Sequence, residues 1–271
     1  MRTSLTSRLR LGVLIVATLS LAPSAGRAQD RGAAPDVKSA TMTAAADFSY
    51  VSFSGTTDPW RLASMSLSRR TSAGSVIARV NYANRFNTDG LQVEVDAYPR
   101  VSKRVYLYLN AGYSDASIFP TWRSGGEAFT SLPNAWEASL GYRQLRFGGA
   151  PVTMFTGAVG KYVGNYWFSL RPFVRQKDGG LSASAGLTAR RYFEDGDHWI
   201  GASASVGSSP TDRLTPDAVG RTRASSLGVS GQTGLAARAL LTWNLGHDTE
   251  EIAPGNTRRS VTLTAGLKLA F

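Results

Sequence analysis

Residues 260–271 read SVTLTAGLKLAF, and in them Val261, Leu263, Ala265, Leu267, Leu269 and Phe271 alternate with Ser260, Thr262, Thr264, Gly266, Lys268 and Ala270. Successive side chains of a β-strand point to opposite faces, so this segment presents one apolar face and one small or polar face. The same period of two recurs upstream. Leu91, Val93, Val95 and Ala97 alternate with Gln92, Glu94 and Asp96, and Val105, Leu107, Leu109 and Ala111 with Tyr106, Tyr108 and Asn110. Trp136, Ala138, Leu140 and Tyr142 alternate with Glu137, Ser139, Gly141 and Arg143, and Tyr166, Phe168 and Leu170 with Trp167, Ser169 and Arg171. Runs of this kind near 43–53, 59–69, 74–85, 90–99, 103–113, 134–146, 151–162, 164–175, 179–192, 198–206, 225–245 and 258–271 predict about twelve strands, within a range of 10–14. The 225–245 run is too long for one bilayer crossing unless it extends beyond the membrane.

The composition narrows the fold. The 271 residues include 30 Lys and Arg against 19 Asp and Glu, no cysteine, and 42% hydrophobic residues. Absence of cysteine excludes a disulfide framework and thiolate-bound zinc or iron–sulfur centres, and the apolar content is too high for a disordered chain. Residues 1–28 have the layout of a cleaved secretory signal peptide: basic Arg2, Arg8 and Arg10, an apolar Leu11–Leu21 core, and a small-x-small site at Gly26-Arg27-Ala28. Cleavage removes four arginines (2, 8, 10 and 27) and no acid, lowering the net charge from +11 to +7. Residues 29–40 form a flexible lead-in, and 41–271 the folded domain.

An exported, alternating chain is either a secreted β-sandwich or a membrane β-barrel. Strands of about 9–11 residues fit a tilted bilayer crossing, and one strand face is small or polar as a lumen requires. Aromatic residues gather at the run ends, as interface girdles do. A barrel also leaves no open strand edge. The expected fold is therefore all-β, an antiparallel transmembrane β-barrel in the outer membrane of a Gram-negative-type envelope. The alternating strand ending on Phe271 resembles the C-terminal signal read by the barrel-assembly machinery. An even strand number puts both termini in the periplasm. The short turns 71–74, 148–151 and 177–180 then face inward, and 114–133 becomes the longest outward loop. Segment 208–224 objects to this arrangement, being long and yet periplasmic: it is either an ordered plug or cap, or the sign of an additional strand pair.

Several stretches resemble the YaiO family of outer-membrane β-barrels. They are ARVNYANRF (78–86), DAYP (96–99), LYLNAGYS (107–114), Phe119-Pro120 with Trp122 and Arg123, GGE (125–127), WEASLGYR (136–143), Leu145-Arg146-Phe147, KYVGNYWFSLRP (161–172) and RRYF (190–193). The resemblance spans roughly 44–271 and implies an outer-membrane barrel, with no substrate or catalytic residue to carry over. Some relatives carry a helical-repeat region before the barrel, and the short lead-in here gives no expectation of a scaffold role through such repeats.

Charged residues on the polar strand faces are the candidate lumen lining: Arg79, Arg85, Glu94, Asp96, Glu137, Arg143, Arg171, Arg190 and Arg238, with Lys268. On a lipid face an arginine at mid-depth costs about 2–4 kcal/mol, so these side chains are expected inside. The hairpin at 86–90 brings Arg79 and Arg85 opposite Glu94 and Asp96, which favours a lumen packed with arginine–carboxylate pairs. The basic excess of seven to three in this set favours a basic pore or pocket instead. Both His198, in EDGDH, and His247, in GHDTE, lie beside acids at expected outward strand ends, but neither sits in a nucleophile motif. The acidic groups Glu194, Asp195, Asp197 and Asp248, Glu250, Glu251 are read as charged loop tips in preference to divalent-cation sites.

Three functions follow as expectations. The first is a narrow pore or pocket for anionic or glycan-like solutes. The second is a closed barrel acting structurally or at the surface through loop 114–133, and the third a lipid-modifying enzyme using His198 or His247. Expected partners are outer-membrane lipid and lipopolysaccharide, the assembly machinery through Phe271, and envelope polysaccharide. No cofactor, metal, catalytic residue or nucleic-acid partner is expected, and the exported chain has no nucleic-acid-binding motif.

Overall fold

A computed structural model of the chain describes residues 41–177, 180–193, 197–208, 223–236, 238–253 and 255–271. The signal peptide, the 29–40 lead-in, the turn residues Asp178 and Gly179, Glu194, Asp195 and most of the 208–224 segment lie outside them. Fourteen antiparallel strands appear among the described residues. They are β1 (Thr41–Phe53), β2 (Trp60–Thr71), β3 (Gly74–Arg85), β4 (Thr88–Pro99), β5 (Val105–Tyr113), β6 (Trp122–Leu132), β7 (Trp136–Arg146), β8 (Val152–Val163), β9 (Tyr166–Lys177), β10 (Gly180–Tyr192), β11 (Trp199–Gly207), β12 (Arg223–Ala236), β13 (Ala239–Ala253) and β14 (Asn256–Ala270). Each pairs with its chain neighbours, and β1 pairs with β14 from Thr43↔Ala270 to Phe53↔Ser260. Met42 and Phe271 exchange two backbone hydrogen bonds of 3.0 Å at the seam, so the sheet closes on itself. No described helix is long and apolar enough to cross a membrane; strands make the wall.

The alternation becomes two surfaces of a cylinder. On β4, Gln92, Glu94 and Asp96 are buried inside while Leu91, Val93 and Val95 are exposed outside, Leu91 by 56% and Val95 by 48%. Leu140, Leu170 and Leu227 continue the apolar outer band. Exposed aromatics border it at both ends: Tyr82, Phe86, Tyr113 and Trp122 towards one rim, Trp136, Tyr166, Phe168 and Phe193 towards the other. This is the surface of a barrel that faces lipid. Val95→Arg, mid-strand on that face, is therefore expected to destabilise the barrel by about 2–4 kcal/mol, measured by urea unfolding in lipid vesicles.

Two features correct the expected count of about twelve. Residues 122–132, expected within an outward loop, form β6, paired with β5 from Val105↔Thr130 to Tyr113↔Trp122 and with β7 from Trp122↔Arg146 to Leu132↔Trp136. Its outer positions are Trp122, Ser124, Gly126, Ala128 and Thr130, so the apolar face that marks other strands is nearly absent. The long 225–245 run is two strands, β12 and β13, reversing between Ala236 and Ala239. No Pro, Asn or Gly stands between those two residues to announce the turn.

Both corrections change which rim a connection occupies. With fourteen strands both termini share one rim, here the terminal rim; the other is the distal rim. The 72–73, 133–135 and 164–165 connections lie at the terminal rim together with Phe193 and His198, and 54–59, 114–121 and 147–151 lie at the distal rim together with the strand ends Gly207 and Arg223. The 148–151 turn, and the ends of β9 at Lys177 and of β10 at Gly180, thus lie opposite to the expected side. The 208–224 segment lies mostly outside the described residues, but the strand ends that flank it, Gly207 of β11 and Arg223 of β12, are at the distal rim, so the two additional strands remove the objection.

Candidate functional site

The inward face differs around the circumference. From β11 through β14 and on to β2 it is mostly Ser, Thr, Gly and Ala, including Ser203, Ser205, Ser226, Ser260 and Thr262. From β3 to β10 it carries arginines, carboxylates and aromatic rings. Between the two walls lies a cavity of about 430 Å³, lined from Phe53, Trp60 and Phe119 near the distal rim to Tyr98, Tyr162 and Trp167 near the terminal rim. Eight strands fill their own interior and sixteen leave a channel, so fourteen strands leave room for such a space.

Two ion-pair clusters hold the charged wall. In the first, Glu94 accepts from Arg79 at 3.2 Å and from Arg123 at 2.8 Å, and Arg79 also lies 3.3 Å from Asp96. Asp96 accepts from Asn110 at 2.6 Å and Tyr108 at 3.1 Å, and Arg123 donates to the Asn110 carbonyl at 3.0 Å. In the second, the fully buried Glu127 accepts from Arg143 at 2.6 Å, Arg171 at 2.7 Å and Ser139 at 2.5 Å. The Arg143 guanidinium, 4.7 Å from the centre of the Tyr108 ring, joins the clusters. Near the distal rim Arg258 pairs with Glu250 at 3.0 Å, and Ser64 donates to Asp47 on the hydroxyl wall.

Aromatic rings form an inner arc near the terminal rim. Tyr98 and Tyr108 lie 5.2 Å apart, Tyr106 stacks on Phe129 at 4.7 Å, and Tyr162 and Trp167 follow at 6.4 Å. Arg190 then lies over Trp167, Tyr192 and Trp199, with the Trp199 centroid at 3.9 Å. Successive strands β4, β5, β6, β8, β9, β10 and β11 each supply at least one ring, while β7 supplies Glu137, which accepts from Tyr106 at 3.5 Å.

The distal mouth is covered by the β5–β6 connection. Ile118 and Phe119 are buried and pack with Ala83, Leu62 and Ala116, so residues 114–121 fold into the barrel mouth. Arg85 lies between Trp60, at 5.1 Å, and Phe119, at 5.7 Å.

Of the lining residues expected from sequence, Arg79, Arg85, Glu94, Asp96, Glu137, Arg143, Arg171 and Arg190 all face the lumen. Arg238 does not. It occupies the exposed β12–β13 turn, where its carbonyl accepts from the Ala270 amide at 2.9 Å, because the chain reverses within what alternation presented as one strand. Alternation also missed Arg123, Glu127 and Phe129, all on β6, as well as Arg175 and Arg258. The expected basic excess of seven to three is not found in the cavity itself, which is lined by six arginines and six carboxylates.

The histidines are far apart in the fold. His198 lies in the β10–β11 connection at the terminal rim, not at the expected outward end. His247 is exposed on the outer face of β13, its Nε2 3.5 Å from the Thr249 hydroxyl. The second acidic group is also divided: Asp248 and Glu250 face inward, and Glu251 accepts from the Gly255 amide at 3.1 Å. Among the described residues no group of three or more His, Asp or Glu is placed to hold a metal ion.

Residues 42–212 match the YaiO membrane beta barrel domain. The chain belongs to that family. The architecture of this YaiO barrel is also similar to that of solved membrane channels. Against the CymD monoaromatic hydrocarbon channel the TM-score is 0.55 at 8% identity, covering 87% of this chain and 89% of that one. Against an outer membrane channel from Pseudomonas putida F1 it is 0.52 at 14% identity, covering 90% and 98%. A bacterial polysaccharide outer membrane secretin gives 0.52 at 5% identity, covering 86% and 98%. At these identities the likeness is one of fold. The chain matches no curated protein sequence.

Proposed function

We propose that this YaiO barrel is a narrow outer-membrane pore for small, hydroxyl-rich acidic solutes. The observation that carries this reading is the lumen cavity, about 430 Å³ and lined from one rim to the other, with guanidinium and aromatic groups on one wall and hydroxyls on the other. That volume is in the range of small-molecule sites. The facing Ser and Thr side chains donate and accept hydrogen bonds, as solute hydroxyls require. Selectivity arises from how the charges are engaged. Glu94 and Glu127 are each held by two arginines, which ties their acceptor capacity to the wall. Arg171 remains 28% exposed to the lumen and is available to a passing anion.

The surface-interaction alternative loses its main support, because the 114–133 segment is half strand and half inward-folded loop.

The test is single-channel conductance of the refolded chain 29–271 in a planar bilayer under a salt gradient. Small, reproducible steps with a modest anion preference are expected. Arg171→Ala, which leaves Arg143 on Glu127, should reduce that preference without unfolding the barrel. Silence from a barrel verified as folded by its heat-modifiable gel mobility would sink the pore.

A further inference from the structure

Arg190 differs from Arg79, Arg123, Arg143 and Arg171 of the charged wall, each of which is paired with a carboxylate. Its residue is 8% exposed, and among the described residues no carboxylate comes within ion-pair distance of it. Its one hydrogen bond is a weak one, from Nη1 to the Tyr192 hydroxyl at 3.4 Å, and its Nε is buried without a partner. The surroundings are rings: Trp199 at 3.9 Å, Trp167 at 5.6 Å and Tyr192 at 5.8 Å from the guanidinium carbon. Ring faces stabilise a cation, but they do not satisfy its N–H groups. A buried guanidinium without an acceptor is costly, and the cost falls when a ligand supplies the counter-charge.

Two more polar atoms beside it are in the same condition. The indole Nε1 of Trp167 and the hydroxyl of Tyr162 are buried, unpartnered and part of the cavity lining. Their rings lie 6.4 Å apart on adjacent strands β8 and β9, and β10 carries Arg190 next to them. Gly160 keeps the space beside the indole open: a Cβ there would stand 3.1 Å from Trp167 Nε1. Three strands thus aim three unused donors into one corner of the lumen near the terminal rim, against flat apolar faces.

We infer that this corner is a binding subsite for an acidic sugar unit of the uronate type. The planar guanidinium, its carbon 3.9 Å from the Trp199 ring centre, has an N–H edge that matches a carboxylate. The indole and phenol groups supply hydrogen bonds to ring hydroxyls, and the aromatic faces cover the apolar face of the pyranose. A bare anion would use only the arginine, and a neutral sugar only the rings and the two other donors. The subsite rests on the pore reading for its access from solution and deepens it by naming the solute class.

The experiment is isothermal titration calorimetry on the folded mature chain in detergent, with D-glucuronate, D-glucose and acetate as probes. Glucuronate should bind more tightly than either of the others. Arg190→Ala should weaken it by about tenfold or more, the loss expected of a charge-assisted hydrogen bond. Arg190→Lys keeps the charge without the fork and should weaken it too; Trp167→Phe, which removes one donor, should have a smaller effect in the same direction. These two variants keep the test decisive if Arg190→Ala does not fold. Equal affinity for acetate or glucose, or unchanged glucuronate affinity in the folded arginine variants, overturns the subsite. Conductance of the same preparations separates the two claims. A conducting barrel without Arg190-dependent binding keeps the pore and overturns the subsite, whereas Arg190-dependent binding in a silent barrel supports the subsite and overturns the pore.

Discussion

Glu127→Ala is expected to destabilise the barrel by about 3 kcal/mol, at the lower end of the roughly 3–5 kcal/mol seen when one partner of a buried ion pair is removed. The side chain is fully buried and accepts from Arg143, Arg171 and Ser139, which reach it from β7 and β9. Truncation leaves both guanidiniums without their shared carboxylate. Arg143, 6% exposed, cannot turn to water, while Arg171, at 28%, can do so in part, which sets the lower figure. The backbone is built around this residue. Gly141 is its partner across the β6–β7 ladder, and a Cβ at Gly141 would stand 2.5 Å from that of Glu127. Urea unfolding in detergent or vesicles reads the effect. Glu127→Gln, which keeps the volume and one carbonyl acceptor, should lose less, and Glu127→Ala combined with Arg143→Ala should recover part of the loss, as coupled neighbours do. A midpoint within experimental error of wild type for Glu127→Ala would mean that the cluster contributes nothing to stability. The same variant should move the reversal potential towards stronger anion preference, because two lumen arginines lose their counter-charge.

The placement of Glu127 also shows where sequence patterning stops. Alternation marks a strand when one face is apolar, and 91–97 and 260–271 satisfy that fully, so eleven of the strands, and the inward position of Arg79, Glu94 and Asp96, are legible from period two alone. On β6 the outward positions after Trp122 are Ser124, Gly126, Ala128 and Thr130, which carry too little apolar surface to reveal the period. The turn after Ala236 is hidden for a related reason: a two-residue reversal without Gly, Asn or Pro leaves alternation unbroken on either side. Each omission is one strand, so together they preserve the parity of the termini. Between them every connection changes rim, which is why His198 and the 148–151 turn lie opposite to their expected side. The lumen chemistry suffered more than the fold. Alternation places Arg238 in the lining and leaves out Arg123, Glu127 and Phe129, so the ion-pair network is legible only in its β3–β4 part. The Arg190 subsite could not be read at all, since its three donors come together only when β8, β9 and β10 are in register.

Replacing residues 115–120 by Asn-Gly should give a barrel that still folds and conducts with a clearly larger unitary step. The base of this connection is already closed, with the Ser114 amide donating to the Thr121 carbonyl at 3.2 Å, so a two-residue reversal can follow directly from the β5–β6 ladder. What is removed is the inward fold above it. Ile118 and Phe119 are 4% and 8% exposed against Ala83 and Leu62, and Phe119 helps line the distal end of the cavity. Burial of such side chains contributes about 1.5–3 kcal/mol each, enough to keep the loop in the mouth against its own entropy. A point substitution reaches the same end without shortening the chain. Gly90 on β4 lies beneath the loop, and a Cβ there would stand 2.5 Å from that of Ala116 and 3.0 Å from Ile118 Cγ1. Gly90→Val should therefore lift the loop and widen the mouth while leaving the ion-pair clusters below it intact. The two variants should agree in conductance and differ in stability, the deletion losing the buried pair and the valine only its fit. If neither variant changes the step size, the distal mouth is not the constriction, and the narrow point must lie deeper, where Arg143 and Arg171 converge on Glu127.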